Sequence, residues 1–256
     1  DAAHVAGATA SVATGSTPDK PKQVVVGFEG AVQFRDTSPW PVTTLMPGAM
    51  GWFAWLPLME CYHGVLSMHH ALDGTIGRTV RDPERAGGAR QDFRKEITFT
   101  GGLGYTEKDW GVTFPKAYTW FQAGHFGTPG VGPSGTSLFG SIAVIPAPLG
   151  LAYEFPGFII GFQHAGAFYQ FATYTLASVE RLAVSPSHVN LTVADFRFRL
   201  TVSIERPSTT VMVWAPRAGK MQPVIPESLG HGAAHCTLVD TWNSATLFDG
   251  TGGSIG

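Results

Sequence analysis

Between residues 195 and 205 the chain reads DFRFRLTVSIE. Asp195, Arg197, Arg199, Thr201 and Ser203 alternate with Phe196, Phe198, Leu200 and Val202. A period of two sends alternate side chains to opposite faces of a strand. One polar and one apolar face mark an antiparallel sheet with a wet side, because strands of parallel sheets are covered on both. Strand-like stretches recur at 24–36, 116–126, 137–147, 166–184, 188–206 and 235–242, and 51–72 reads as a pair of strands parted near Pro57. The 32 glycines and 18 prolines, about a fifth of the 256 residues, fall as punctuation between these stretches. No amphipathic helix of three or more turns is legible. The pattern predicts an all-β chain of barrels or sandwiches.

Residues 1–22 are small, polar and aperiodic, which predicts a loosely ordered arm. The charge-rich stretch 77–96 predicts an exposed loop or hairpin tip. A net charge of −2 offers nothing to attract nucleic acid or an anionic membrane surface. No apolar run reaches transmembrane length, so stable membrane insertion is not expected. The N-terminus lacks the charged-then-apolar pattern of a secretory signal, and a cytoplasmic location is expected. Two cysteines, Cys61 and Cys236, are too few for a disulfide framework.

Several motifs carry little. The glycine-rich GTGGS near the C-terminus lacks the lysine of a phosphate-binding loop. His231 and His235 would share a strand face but stand about 13 Å apart at strand rise, too far for one ion. No metal site is expected there or at His69 and His70. No G-x-S-x-G elbow is present.

The stretch YTEKDWGVTF, 105–114, is more unusual. It places Glu107, Lys108 and Asp109 in succession within a chain that is only 14% charged, with glycines at 101, 102, 104 and 111. The reading is a rigid corner in which Lys108 pairs with a carboxylate, Asp109 caps backbone N–H groups and Trp110 packs beneath. Direct acid–base work by these three residues is the alternative. Such a corner would hold Trp120 and Gln122, which share a face on the following strand. Their neighbour Tyr118 and, further along, His125 complete the polar and aromatic groups nearby.

Three ordered segments, LPLMECYHGVLSMHHAL (56–72), GGLGYTEKDWGVTFPKAYTWFQAGHF (101–126) and GFQHAGAFYQFATYT (161–175), resemble the tocopherol cyclase and tocopherol cyclase-like family. The similarity covers roughly residues 26–256. A related Lys-Asn-Trp-Gly motif occurs in lipocalin-like Diels–Alderases and carotenoid hydratases. The resemblance implies a lipocalin-like fold of two antiparallel β-barrel or sandwich halves, here 24–100 and 101–256 after an arm at 1–23. It implies a hydrophobic small-molecule substrate and no cofactor, and sets no oligomeric state. Two positions depart from the family pattern: Gly124 precedes His125 where Asn is usual, and AVQF follows Glu29-Gly30 where Trp and Tyr are usual.

Ring closure by a tocopherol cyclase-like route adds a phenol oxygen across a prenyl double bond. It needs an acid, a proton acceptor and a dry aromatic wall. Glu60, inside an apolar stretch, is the first candidate for the acid, since burial raises a carboxyl pKa. His63 would relay a proton. On a regular strand these two face opposite sides, so a bulge near Gly64 would have to re-aim one. Trp55, Tyr62, Tyr105, Trp110, Tyr118, Trp120, Gln122 and His125 are the candidates for the substrate wall, with Trp110 and Trp120 able to face a cation. Two other readings stand beside this one. A pericyclase of Diels–Alder type would polarise a carbonyl with His125, Gln122, Tyr118 or Lys108. A non-catalytic lipocalin-like carrier would only bind a hydrophobic metabolite.

Overall fold

Backbone pairing dominates the computed structural model, which describes residues 2–14, 22–57, 59–81, 93–124, 126, 135–146, 153–206, 211–227 and 232–255. The chain separates into two units, Asp1–Thr37 with His70–Gly104, and Ser38–His69 with Tyr105–Gly256. As the alternation predicts, the fold is all-β. Among the described residues no helix is long and apolar enough to cross a membrane.

Four strands, β1 (Ala2–Thr14), β2 (Lys22–Arg35), β3 (Cys61–Arg81) and β4 (Phe93–Gly111), form one antiparallel sheet in that order. The first unit contains β1, β2 and the segments of β3 and β4 from His70 to Gly104. Residues 2–14, expected as a loose arm, instead pair along β2, from Ala2 opposite Gln33 to Thr14 opposite Lys22. Scattered Val and Thr among alanines suffice, because ladder hydrogen bonds come from the backbone whatever the side chains. The charge-rich stretch 77–96 is strand up to Arg81 and again from Phe93; its middle lies outside the described residues.

The second unit is built on a nine-stranded, barrel-like antiparallel sheet. Its strands are β5 (Tyr118–Gly124), β6 (Ser137–Pro146), β7 (Glu154–His164), β8 (Ala167–Ala172), β9 (Ser178–Val184), β10 (His188–Ala194), β11 (Phe198–Glu205), β14 (Gly232–Asp240) and β15 (Ala245–Ile255). They lie in the order β8-β7-β6-β5-β15-β14-β11-β10-β9. A separate hairpin joins β12 (Val211–Arg217) to β13 (Lys220–Glu227). In β11 the alternation holds as read: Leu200, Val202 and Ile204 are buried with Leu191, Val193 and Leu238, while Arg199, Thr201 and Glu205 face solvent. Phe196 departs from it. It sits in the turn before β11, 79% exposed, because the Asp195 carboxylate accepts the backbone N–H groups of Arg197 and Phe198 and closes the turn there. Gly140 of β6 is required by the core, since a Cβ there would lie 2.1 Å from the Phe121 ring.

The stretch 51–72 is not a pair of strands. Gly51–Trp55 is a short 3-10 turn, and β3 begins only at Cys61. Gly51 adopts φ +55°, and a Cβ there would lie 2.5 Å from the Tyr174 ring, so the turn closes directly onto that tyrosine. Tyr174 donates its hydroxyl to the Ala49 carbonyl at 2.5 Å and meets Phe53 edge-on, which fixes the turn against the sheet.

This arrangement predicts a sharp asymmetry between the faces of β11. Leu200→Ala should cost about 2–5 kcal/mol in urea unfolding, whereas Thr201→Ala should cost under about 1 kcal/mol. Equal losses would show that the inward face has been misassigned.

Candidate active site

The charged run at 105–111 is the end of β4, not a corner. Flanking glycines suggest a turn, but Gly102 and Gly104 stay in the ladder, and the period of two continues to Gly111. Strand geometry therefore sends Tyr105, Glu107 and Asp109 to one face and Lys108 and Trp110 to the other. On neighbouring β3 the same rule groups Cys61, His63 and Val65 apart from Tyr62 and Gly64. Trp110 stacks on Tyr62, ring centroids 5.7 Å apart, and lies over Gly64 on the outer face. The inner faces bring His63 against both carboxylates.

His63 is the centre of this cluster. Its Nδ1 meets Oδ1 of Asp109, and its Nε2 is 3.5 Å from Oε2 of Glu107. The ring stacks on buried Phe139 at 4.9 Å, nearly parallel, and Phe139 also stacks on Tyr105. One oxygen of Glu107, Oε2, accepts two further hydrogen bonds: from the Tyr105 hydroxyl at 2.5 Å and from Nε1 of Trp120 at 3.1 Å. Both donors share an acceptor atom, which leaves Oε1 as the oxygen that can carry a proton. Burial pushes the Glu107 carboxyl above its ordinary value, and the Asp109 charge acts the same way, while His63, Tyr105 and Trp120 pull against them. Burial also raises the Tyr105 phenol, with the Glu107 charge adding to it, so this hydroxyl remains a donor. The Cys61 thiol is pushed up to about 12 by burial and then by Asp109, Glu107 and Glu60; it stays protonated and is no nucleophile.

His63 and Asp109 line an apolar cavity of about 130 Å³. Its walls include Met50, Phe53, Tyr118, Trp120, Phe158 and Tyr174. A second cavity of about 660 Å³ shares Phe114, Pro115, Tyr118 and Trp120 with the first. Trp120 and Tyr118, neighbours on one face of β5, thus border both.

The sequence candidates divide accordingly. His63, Glu107, Asp109, Tyr105 and Trp120 come together, and Tyr118 lines the same cavity. Glu60 does not join them: it precedes β3 and lines the larger cavity. Lys108 is exposed and forms no ion pair among the described residues, because strand parity turns it outward. Asp109 caps no backbone group; it faces His63. Tyr62 and Trp110 pack on the outer face, with Trp110 half exposed, and Trp55 is 65% exposed. Gln122 shares a strand face with Trp120 but lines neither cavity. His125 lies outside the described residues. Phe139 and Tyr174 were not singled out in the sequence, where each is one aromatic among many.

The ligand atoms of His63, Glu107 and Asp109 lie within 4.8 Å of one another, a spacing that one metal ion can bridge. The donor set fits such an ion poorly. The Trp120 N–H and Tyr105 O–H point at the Glu107 oxygen that would have to ligate, and His63 already spends Nδ1 on Asp109.

A raised carboxyl pKa has a measurable sign. The folded chain holds the Glu107 proton more tightly than the unfolded chain does, so its contribution is favourable at low pH and is lost as pH rises through the shifted value. Glu107→Gln keeps an acceptor oxygen for both donors but cannot ionise. As pH rises above the ordinary carboxylate range, the melting temperature of the wild type should fall relative to this variant. Parallel curves would mean that Glu107 titrates as an ordinary carboxylate.

A family model described as tocopherol cyclase-like matches residues 6–254. The chain is also 31% identical over 140 residues to a probable chloroplastic tocopherol cyclase of Oryza sativa subsp. japonica. That match takes in 52% of this chain and 25% of the rice protein. The match across nearly the whole described sheet system agrees with the three segments that carry the resemblance, and the chain belongs to the tocopherol cyclase-like family.

Proposed function

We propose that the chain is a cyclase that closes a ring in a prenylated aromatic or polyene small molecule by protonating an alkene. The observation that carries this reading is His63 held between two carboxylates, with His63 and Asp109 among the residues that line an apolar, aromatic cavity. Family membership supports cyclisation as the class of reaction.

The chemistry balances without any co-reactant. The His63–Asp109 pair gives a proton to one alkene carbon, whose π electrons form the new C–H bond. The tertiary carbon left positive is flanked by the aromatic walls, where Trp120 offers a ring face to the cation. A phenol oxygen of the same substrate attacks that carbon with a lone pair to form the C–O bond. Its proton then passes to the pair, which ends as it began. Glu107, on the far side of His63 from Asp109, holds the imidazole in place and takes no part in the proton count. Tyr105 and Trp120 fix Glu107, and Phe139 fixes the ring. The dry walls keep water from capturing the cation.

Turnover of prenylated hydroquinones in deuterated water tests this reading. The product should carry one non-exchangeable deuterium at the former alkene carbon. Asp109→Asn and His63→Gln should each lower kcat by about 100-fold or more while changing substrate affinity by less than about threefold. A cyclised product without deuterium would replace the acid mechanism with a pericyclic one. Tight binding with no product would make the chain a carrier.

A further inference from the structure

We propose that the larger cavity is a separate binding site for an apolar molecule bearing a carboxylate. At about 660 Å³ it falls within the range of about 300–1,000 Å³ typical of small-molecule sites. Its wall is mixed, with an apolar part formed by Phe121, Val144, Val184, Val189, Ile204 and Pro216. Its charged groups are three cations, Lys116, Arg206 and Arg217, against two carboxylates, Glu60 and Glu154. That leaves an excess of positive charge in a chain whose net charge is −2.

The excess is held by the arginines. Lys116 and Glu154 neutralise each other across 2.5 Å. Arg206 donates Nη1 to the Ser185 carbonyl at 2.8 Å, a neutral partner, and forms no ion pair among the described residues. Arg217 has no hydrogen bond or ion pair from its side chain among the described residues. Two guanidiniums without ion pairs among the described residues, beside the apolar part of the wall, favour a ligand that is greasy along its length and anionic at one end. A planar carboxylate matches the guanidinium fork with two parallel hydrogen bonds. Glu60 opposes this charge and moderates the affinity. The site is distinct in chemistry from the smaller cavity, which exposes almost no polar surface beyond His63, Asp109 and a few hydroxyls. The proposal does not depend on ring closure.

Equilibrium dialysis with labelled dodecanoate and labelled dodecanol gives the test, with no turnover required. Dodecanoate should bind saturably, one per chain, at least about tenfold tighter than the alcohol, and more weakly as salt is added. Arg217→Gln should erase most of that preference and leave alcohol binding unchanged; among the described residues its side chain has no hydrogen bond or ion pair to lose, so the fold should be intact by thermal melting. Arg206→Gln should act in the same direction, and Glu60→Gln should tighten the acid alone. Absence of saturable dodecanoate binding, equal binding of acid and alcohol, or a preference that survives Arg217→Gln would overturn the proposal.

Discussion

Two hydrogen bonds to a single oxygen of Glu107 organise the candidate site. The Tyr105 hydroxyl and the Trp120 indole N–H reach that oxygen from different strands, β4 and β5. They fix the carboxyl beside His63 while burial disfavours its charge. A carboxylate in that position without its donors would bear the full desolvation cost of a buried anion, so site and fold are coupled here. The same indole faces the cavities, which makes one side chain both a fastening for the acid and a wall for the ligand.

Asymmetry around the imidazole gives the cluster its direction. Asp109 borders the cavity with His63, whereas Glu107 stands behind, held by protein donors. Environment therefore separates two carboxyl groups two residues apart on one strand: Asp109 lines the cavity, and Glu107 is set behind His63 with its charge disfavoured by burial. Phe139 beneath the ring leaves His63 little freedom to turn away. Pocket size adds a second constraint. The small cavity accommodates a reacting end and little else, and it ends at walls shared with a larger, partly charged space.

Much of this was legible before the structure, for physical reasons that also mark where legibility stopped. The period of two in β11 named the inward residues Leu200 and Val202, because a half-wet strand must sort its side chains by face. The same rule applied to 105–110 would have grouped Tyr105, Glu107 and Asp109 at once. Glycines around the run masked it, since glycine marks turns and close strand approaches alike. Glu60 looked like the buried acid because its sequence neighbours are apolar. Its side chain instead lines the larger, charged cavity, because β3 starts one residue later. The stack of Phe139 on His63 joins residues 76 positions apart, and no local pattern encodes such a contact. Family resemblance supplied the reaction class; strand parity supplied the cluster.

The central claim is that burial holds the Glu107 carboxyl, beside His63, above its ordinary value in the folded chain. Infrared difference spectroscopy of the wild type against Glu107→Gln measures this directly. The account predicts a protonated carboxyl C=O band that persists above the pH range of an ordinary carboxylate, shifts in deuterated water and is missing from the variant. A spectrum in which the variant differs from the wild type only by carboxylate bands would contradict it.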